Sequence, residues 1–257
     1  MASPFLAAIL LTASPNASPA EAVRLYGEAV AHSSADDLAR AFQPSAIMYC
    51  TDGRAVHATS QAQWKTRMGA AASPPQPVST ELEWLDAGAT SALARAQAVR
   101  GGKTFTDYLL LANLGGNWRI VGKLCQEEVS PSPASASAVS AVIDAKFASD
   151  RSWDAALLAQ SIDPRALVMT VEQGELVAAT LAEWQARYRE RRRESPGNPA
   201  PEAGRVVDAR GDIGVGRWSF VGSDGMVWTD RALMIRAEAG WRMVALLYAK
   251  EPPVPAK

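Results

Sequence analysis

Histidine is scarce in this chain: His32 and His57 are the only two. Neither stands in a His-x-His or His-Glu-x-x-His pattern, and Cys50 and Cys125 form no Cys-x-x-Cys pair. The clustered imidazoles and thiolates of a dedicated transition-metal site are therefore missing. No Gly-x-Gly-x-x-Gly or Walker loop occurs, so nucleotide phosphates have no sequence support, and Gly-x-Ser-x-Gly is absent as well. No cofactor is implied. Gly222-Ser223-Asp224-Gly225 reads as a hairpin turn.

Charge of one sign is also missing. The 26 basic and 27 acidic residues leave a net charge of −1, which favours neither a polyanion nor an anionic membrane surface. No basic stripe interleaved with aromatics appears, so nucleic acid is not an expected partner. Arg187, Arg189, Arg191, Arg192 and Arg193 form a basic run that Glu190 and Glu194 dilute. It reads as the cationic end of a helix before Pro196-Gly197, where positive charge complements the helix dipole.

Long apolar runs are absent too. The stretch from residue 5 to 11, Phe-Leu-Ala-Ala-Ile-Leu-Leu, is far shorter than the roughly 20 residues of a spanning helix. It suits the core of a signal peptide, followed by small residues up to Ser18-Pro19-Ala20, a candidate cleavage site, although no positive charge precedes it. Residues 1–19 are read as a signal peptide or disordered tail, and the chain as periplasmic or secreted, with a cytoplasmic location as the alternative. Two cysteines cannot build a disulfide framework. They leave two readings: half-buried thiols at strand ends, or one bridge, which requires an oxidising compartment.

What is present is a repeat. In 257 residues of ordinary globular composition, 48% hydrophobic and 21% charged, Thr106, Asp107, Trp118 and Arg119 recur as Thr229, Asp230, Trp241 and Arg242, a constant 123 positions later. Each copy reads as two apolar strands joined by a Gly-containing turn. Trp64 and Arg67 recur as Trp184 and Arg187 at an offset of 120, and Asp86 and Arg95 as Asp208 and Arg217 at an offset of 122. Loop insertions explain the drift, since loops tolerate length change at little cost. Repetition at this length means two tandem domains: 20–128 and 138–251, joined by an extended Pro/Ser linker at 129–137 and followed by a tail at 252–257.

Within the first domain, apolar positions from Ala22 to Val30 have helical spacing, Ser34 caps a second helix that Pro44 stops, and Ala46 to Cys50 is a strand. Asp52-Gly53 turns the chain back, Ser60 caps a helix bearing Trp64 and Met68, and Ser-Pro-Pro-Gln-Pro breaks it. Strands near 78–86, 90–100 and 104–113 and the Trp118 strand close the unit. The second domain repeats this order, with helices near 138–150 and 152–161 and a strand from Ala166 to Val171. The class is α+β. Phe105, Leu109 and Leu111 occupy one strand face and Tyr108 and Leu110 the other, so both faces must be covered.

This order, with its aromatic-Thr-Asp-Tyr strand and Trp-Arg-Ile-Val strand, resembles the nuclear transport factor 2-like superfamily, most closely its SnoaL-like and lumazine-binding-like branches. The resemblance covers about 20–128 well and 138–251 less tightly; Tyr108 becomes Arg231 and Lys123 becomes Leu246 in the second copy. It implies a curved, mostly antiparallel sheet wrapped around three helices, with a conical pocket between them. It also implies dimerisation through the outer sheet face, which a duplicated chain can satisfy internally. The expectation is a pseudo-twofold pair within one chain, monomeric as a whole.

The polar residues on strands of the first domain are Tyr49, His57, Arg95, Asp107 and Lys123. In enzymes of this fold a desolvated carboxylate abstracts a proton beside a carbonyl while a Tyr or His donor holds the enolate. Asp107 would be the base, Tyr49 or His57 the donor, and Arg95 the anchor of an anionic substrate. The structural alternative pairs Asp107 with Arg95, and Asp230 with Arg217, across neighbouring strands. Trp64, Trp118, Trp184 and Trp241 recur and read as core; Trp84, Trp153, Trp218 and Trp228 have no matching Trp and suit a pocket wall or domain interface. With Lys123, Arg217, Asp230, Trp84 and Trp218 as ligand-binding candidates, the favoured function is non-catalytic binding of a small apolar or aromatic molecule, or a structural role. A lyase or isomerase in the first domain is the alternative.

Overall fold

The computed structural model describes residues 16–70, 80–100, 102–127, 133–194, 202–222 and 225–251. The signal-peptide core, the Ser-Pro-Pro-Gln-Pro breaker, the first half of the Pro/Ser linker, Pro196-Gly197, the middle of the Gly222–Gly225 turn and the tail from 252 lie outside the described residues.

Ser18 opens helix α1 (Pro19–His32) by accepting the Glu21 N–H at 3.2 Å, with proline at the first helical position. Ala22, Val23, Leu25, Tyr26 and Ala29 form its buried stripe. Helix α2 (Ala35–Ala41) is capped by Ser34, as expected, but stops before Pro44. Strand β1 (Phe42–Thr51) starts four residues earlier than the apolar run suggests. Pro44 is tolerated inside it because it falls in the stretch where the pairing register shifts, between Phe42 and Ile47, so no ladder bond needs its missing N–H. The unit continues through β2 (Val56–Ser60), α3 (Gln61–Ala70), β3 (Thr80–Ala87), β4 (Ser91–Arg100), β5 (Lys103–Leu114) and β6 (Asn117–Glu127).

Helix α4 (Pro133–Ser152) begins inside the segment read as an extended linker: Pro133 serves as a helix start rather than a breaker. Then come α5 (Ala155–Ser161), β7 (Ile162–Glu172), β8 (Glu175–Thr180), α6 (Leu181–Glu194), β9 (Glu202–Arg210), β10 (Ile213–Val221), β11 (Val227–Ala237) and β12 (Gly240–Glu251). Each unit has its own six-stranded sheet, in the orders β2-β1-β6-β5-β4-β3 and β8-β7-β12-β11-β10-β9. Among the described residues, β1 with β6 and β7 with β12 are the pairs that run parallel.

One face of each sheet meets the helices of its own unit. Leu109, Leu111, Trp118 and Ile120 pack on Tyr26 and Leu38 of the helices, with Phe42 at the start of β1 in the same core. Met234, Trp241 and Met243 do the same with Val139, Ile143 and Leu158 in the second. The other faces meet each other. Leu93, Tyr108, Leu110 and Leu124 share one buried cluster with Ile213, Val215, Leu233 and Leu247. The approach is close: a Cβ at Gly122 would stand 3.1 Å from Leu233 Cδ1 and 3.3 Å from the Ala245 Cβ. Both faces are apolar for this reason; each sheet covers the side that the other cannot hide alone.

The charges at this interface obey a twofold rule. Arg95 of β4 reaches Asp208 of the second unit at 2.6 Å, and its match Arg217 reaches Asp86 of the first at 3.6 Å. Residue i of one unit meets residue j of the other, and the reverse, as in an isologous dimer. The Tyr108-to-Arg231 divergence keeps the role. The Tyr108 hydroxyl donates to Asp208 Oδ2 at 3.0 Å, and Arg231 Nε donates to Asp86 Oδ2 at 2.6 Å.

Candidate functional site

The alternation of β5 sends Asp107 toward the helices. It is fully buried there, as is Lys123 of β6, whose Nζ lies 2.8 Å from Asp107 Oδ1. The Tyr26 hydroxyl donates to Asp107 Oδ2. Both carboxylate oxygens are thus engaged, which offsets the cost of burying the charge.

Lys123 also lines a cavity of about 390 Å³. The apolar wall is Met48, Trp64, Met68 and the two cysteines, and the polar rim adds Ser33, His57, Thr59 and Arg67. Two local devices shape it. Ser60 and Gln63 form a reciprocal capping box at the start of α3, with bonds of 3.2 and 2.9 Å, which fixes the helix that carries Trp64, Arg67 and Met68. Cys50 and Cys125 are direct register partners on β1 and β6, and they are joined: of the two readings the sequence left, the structure has the bridge, with Cα atoms 4.5 Å apart. The disulfide is therefore part of the cavity surface.

The second cone is built from different residues. Lys123 has become Leu246, but a lysine returns from another element: Lys146 of α4 lies 2.7 Å from Asp150 Oδ2 and 3.9 Å from Asp230 Oδ2. The Tyr188 hydroxyl of α6 donates to Asp150. Two carboxylates thus share one lysine out of water. Burial, opposed by Lys146 and reinforced by Asp150, pushes the Asp230 carboxyl up to about 7, and burial raises Asp150 as well. Aromatic rings cluster beside them. Trp153 stands edge-on to Tyr188 at 5.2 Å, Trp184 lies 5.5 Å from Tyr248, and Trp228 stacks on Tyr248 at 6.0 Å. Tyr188 occupies the position that matches Met68, so a rigid ring stands where the first cone has a flexible thioether.

The sequence candidates divide between four places. His57, Lys123 and the matched Trp64 and Arg67 come together at the first cavity, with Asp107 behind them. Asp230 and the fully buried Trp218 are in the second core. Tyr49, Arg95 and Arg217 are at the interface between sheets, away from either cone. The expected pairing of Asp107 with Arg95 and of Asp230 with Arg217 is replaced. In the strand register Asp107 opposes Ala96 while Arg95 opposes Tyr108, so the two charges point to opposite faces. Tyr49 likewise faces the second unit, where the Arg165 guanidinium lies 5.8 Å from its ring, and burial raises its phenol above the usual range. Tyr49 and Asp107 are therefore not brought together. Trp84 is 37% exposed on β3, an edge strand.

Tyr26, Lys146, Asp150 and Tyr188 were not foreseen. The available signals were helical: Lys146 and Asp150 are spaced i, i+4 on an otherwise apolar face, and Tyr26 shares the stripe of α1 that faces the sheet. Among the described residues no group of three or more His, Cys, Asp or Glu is placed to hold a metal ion, and no helix is long and apolar enough to cross a membrane.

Two cones of curved sheet and helix, joined back to back in one chain, define a tandem α+β protein with an open cavity in its first half. The chain belongs to the family described as Putative lumazine-binding, whose model matches residues 16–126 and again 134–249. The chain is also similar to solved structures that align with about half of it. An NTF2-like protein of unknown function from Shewanella baltica is 16% identical, covering 49% of this chain and 100% of its own, with a TM-score of 0.43. A second, from Silicibacter pomeroyi, is 19% identical, covering 42% and 91%, with a TM-score of 0.39. A protein titled a putative ketosteroid isomerase, from Shewanella frigidimarina, is 16% identical over 44% and 94%, with a TM-score of 0.36. A search of curated proteins finds no match.

Proposed function

We propose that the chain is a binding protein whose first cone takes one small, flat, mostly apolar molecule, with the second cone as its packed companion. The observation that carries this reading is the cavity of about 390 Å³, of the size that small-ligand sites have, walled by Trp64, Met48, Met68 and the disulfide. A bicyclic heterocycle of the kind in the family's description suits such a wall, because an indole ring and polarisable sulfur both favour contact with a flat π-system. The lyase or isomerase reading has less support. Its base, Asp107, is inaccessible with both oxygens engaged, and of its two donors only His57 borders the cavity. The test is fluorescence titration with lumazine, using Met68→Tyr as the blocked control. Saturable binding that Met68→Tyr abolishes is expected; the same response from both proteins overturns the reading.

The bridge also supports an exported protein, since such bonds persist in oxidising compartments. Asn16 is buried, and its side-chain amide donates to the Arg40 and Trp118 carbonyls at 2.9 Å each, so processing is expected upstream of Asn16 rather than after Ala20. Mass spectrometry of protein alkylated in intact cells tests both points. Unlabelled cysteines and a mature terminus ahead of Asn16 are expected; labelled thiols, or a terminus at Glu21, would contradict them.

A further inference from the structure

We infer that the first cavity selects an organic anion: a flat aromatic body carrying one acidic group, with the acid held by Arg67 at the rim. This rests on the binding reading above and adds the charge of the ligand.

The first observation is the balance of charge. Lys123 and Arg67 are among the cavity-lining residues, and among the described residues no carboxylate is. Lys123 is committed to Asp107 behind it. Arg67 has no such partner. Its Nη2 donates to Thr59 Oγ1 at 2.7 Å, no carboxylate lies within ion-pair distance among the described residues, and the neighbouring segment from 71 to 79 contains neither Asp nor Glu. A guanidinium carries five donors, so most of its hydrogen-bonding fork remains for an oxyanion. His57 and Thr59, two apart on β2 and so on one face, add polar groups beside it.

The second observation is the chain's own internal comparison. Trp184 and Arg187 match Trp64 and Arg67 at the same offset, and there the guanidinium lies on the indole, 4.9 Å from its centroid. Ala179 stands where Thr59 does, with no hydroxyl to draw the arginine off the ring, and Val177 stands in place of His57. In the first unit Thr59 holds Arg67 at the rim, and Trp64 is left to line the cavity while its edges pack against Tyr26 and Phe42 at 5.9 and 5.5 Å. The same two residue types thus make a stacked cation–ring pair in one cone and an aromatic floor with a cationic rim in the other. A floor of that kind accepts a π-face, and the rim accepts negative charge; a ligand with both satisfies the site.

Two probes isolate the charge: 8-anilinonaphthalene-1-sulfonate and N-phenyl-1-naphthylamine, the same skeleton with and without the sulfonate. We expect the wild type to bind the sulfonate at least about tenfold more tightly, as a charge-assisted fork–oxyanion contact implies. Arg67→Gln should remove that preference and leave the affinity for the neutral dye within about twofold. Arg187→Gln, on the stacked arginine, should change neither. Equal or tighter binding of the neutral dye by the wild type, or an Arg67→Gln variant that keeps the preference, overturns the inference. Met68→Tyr, which places in the first cone the buried ring that the second has at the matching position, should abolish both signals. If both dyes still bind to it, they sit elsewhere, and the cavity reading itself fails independently of the ligand's charge. Coincident thermal melts for wild type and Arg67→Gln guard against misfolding, and exposure of Arg67 on the last turn of α3 favours that outcome.

Discussion

Asp107 shows how a carboxylate on an inward strand position is spent on the fold. It is paired with Lys123 and accepts from Tyr26, and removing one charge of the ion pair strands the other. Asp107→Asn and Lys123→Met should each cost about 3–5 kcal/mol in urea unfolding, whereas the double replacement Asp107→Leu/Lys123→Met should recover most of the loss. Single-variant costs below about 1 kcal/mol would show that the pair is not the anchor of the first core. Asp230 is its unequal counterpart. Its folded pKa is raised, so between the unfolded value near 3.9 and about 7 the folded chain holds a proton that the unfolded chain has released. Stability should therefore fall as pH rises through that window and level off above it. Asp230→Asn removes the titration: its unfolding free energy should change less between pH 5 and 8, and exceed that of the wild type at pH 8 by about 1–3 kcal/mol. Parallel pH profiles would contradict this.

Residue types in the sequence named the charged groups, but the partner of each depended on parity. Asp107 and Arg95 lie on neighbouring strands, which suggested a pair, yet one step of register places them on opposite faces of the sheet. The Lys146–Asp150 pair was hidden differently. The matched lysine of the first unit comes from β6 and that of the second from α4, so comparing copies position by position finds Leu246 and nothing in its place.

At the scale of elements, helices and meander strands were legible because capping residues and apolar spacing are local: Ser34, Ser60 and Thr180 each begin a helix that the structure contains. Boundaries failed where proline was read by habit. Pro44 sits in a register shift and Pro133 at a helix start, both places where a missing N–H costs nothing. The pairing of β1 with β6 was not legible, because a parallel contact between strands so far apart leaves no local sign. The cysteines record it: Cys50 and Cys125 are 75 residues apart and directly paired. A loop of that length gives a stabilisation of about 4 kcal/mol in the chain-entropy account. Cys50→Ala/Cys125→Ala should lower unfolding free energy by up to that amount, and added reductant should reproduce the loss in the wild type. No difference between oxidised and reduced protein would mean that the bridge contributes nothing to the ladder.

The whole molecule is a dimer written into one chain. Its apolar seam was foreseeable from strands that are greasy on both sides. The reciprocal charges were visible only as matched residues, Asp86 with Asp208 and Arg95 with Arg217, whose crossing needs the second unit in place. Arg231 is 2% exposed and bonded to Asp86 and Ser91, so Asp86→Ala leaves a buried cation unpaired. It should cost about 3–5 kcal/mol, against less than about 1 for Glu83→Ala at the exposed end of the Arg95 pair. The seam also explains how the cones could diverge. With the fold secured by sheet contact, one cone could gather an aromatic cluster while the other kept a cavity lined by Trp64 and two methionines.

Small-angle X-ray scattering of the full chain tests the back-to-back arrangement most directly. One compact body of 257 residues should have a radius of gyration of about 18–20 Å and a distance distribution with a single maximum. A second maximum at longer distance, the mark of two lobes held only by their connection, would contradict the shared seam.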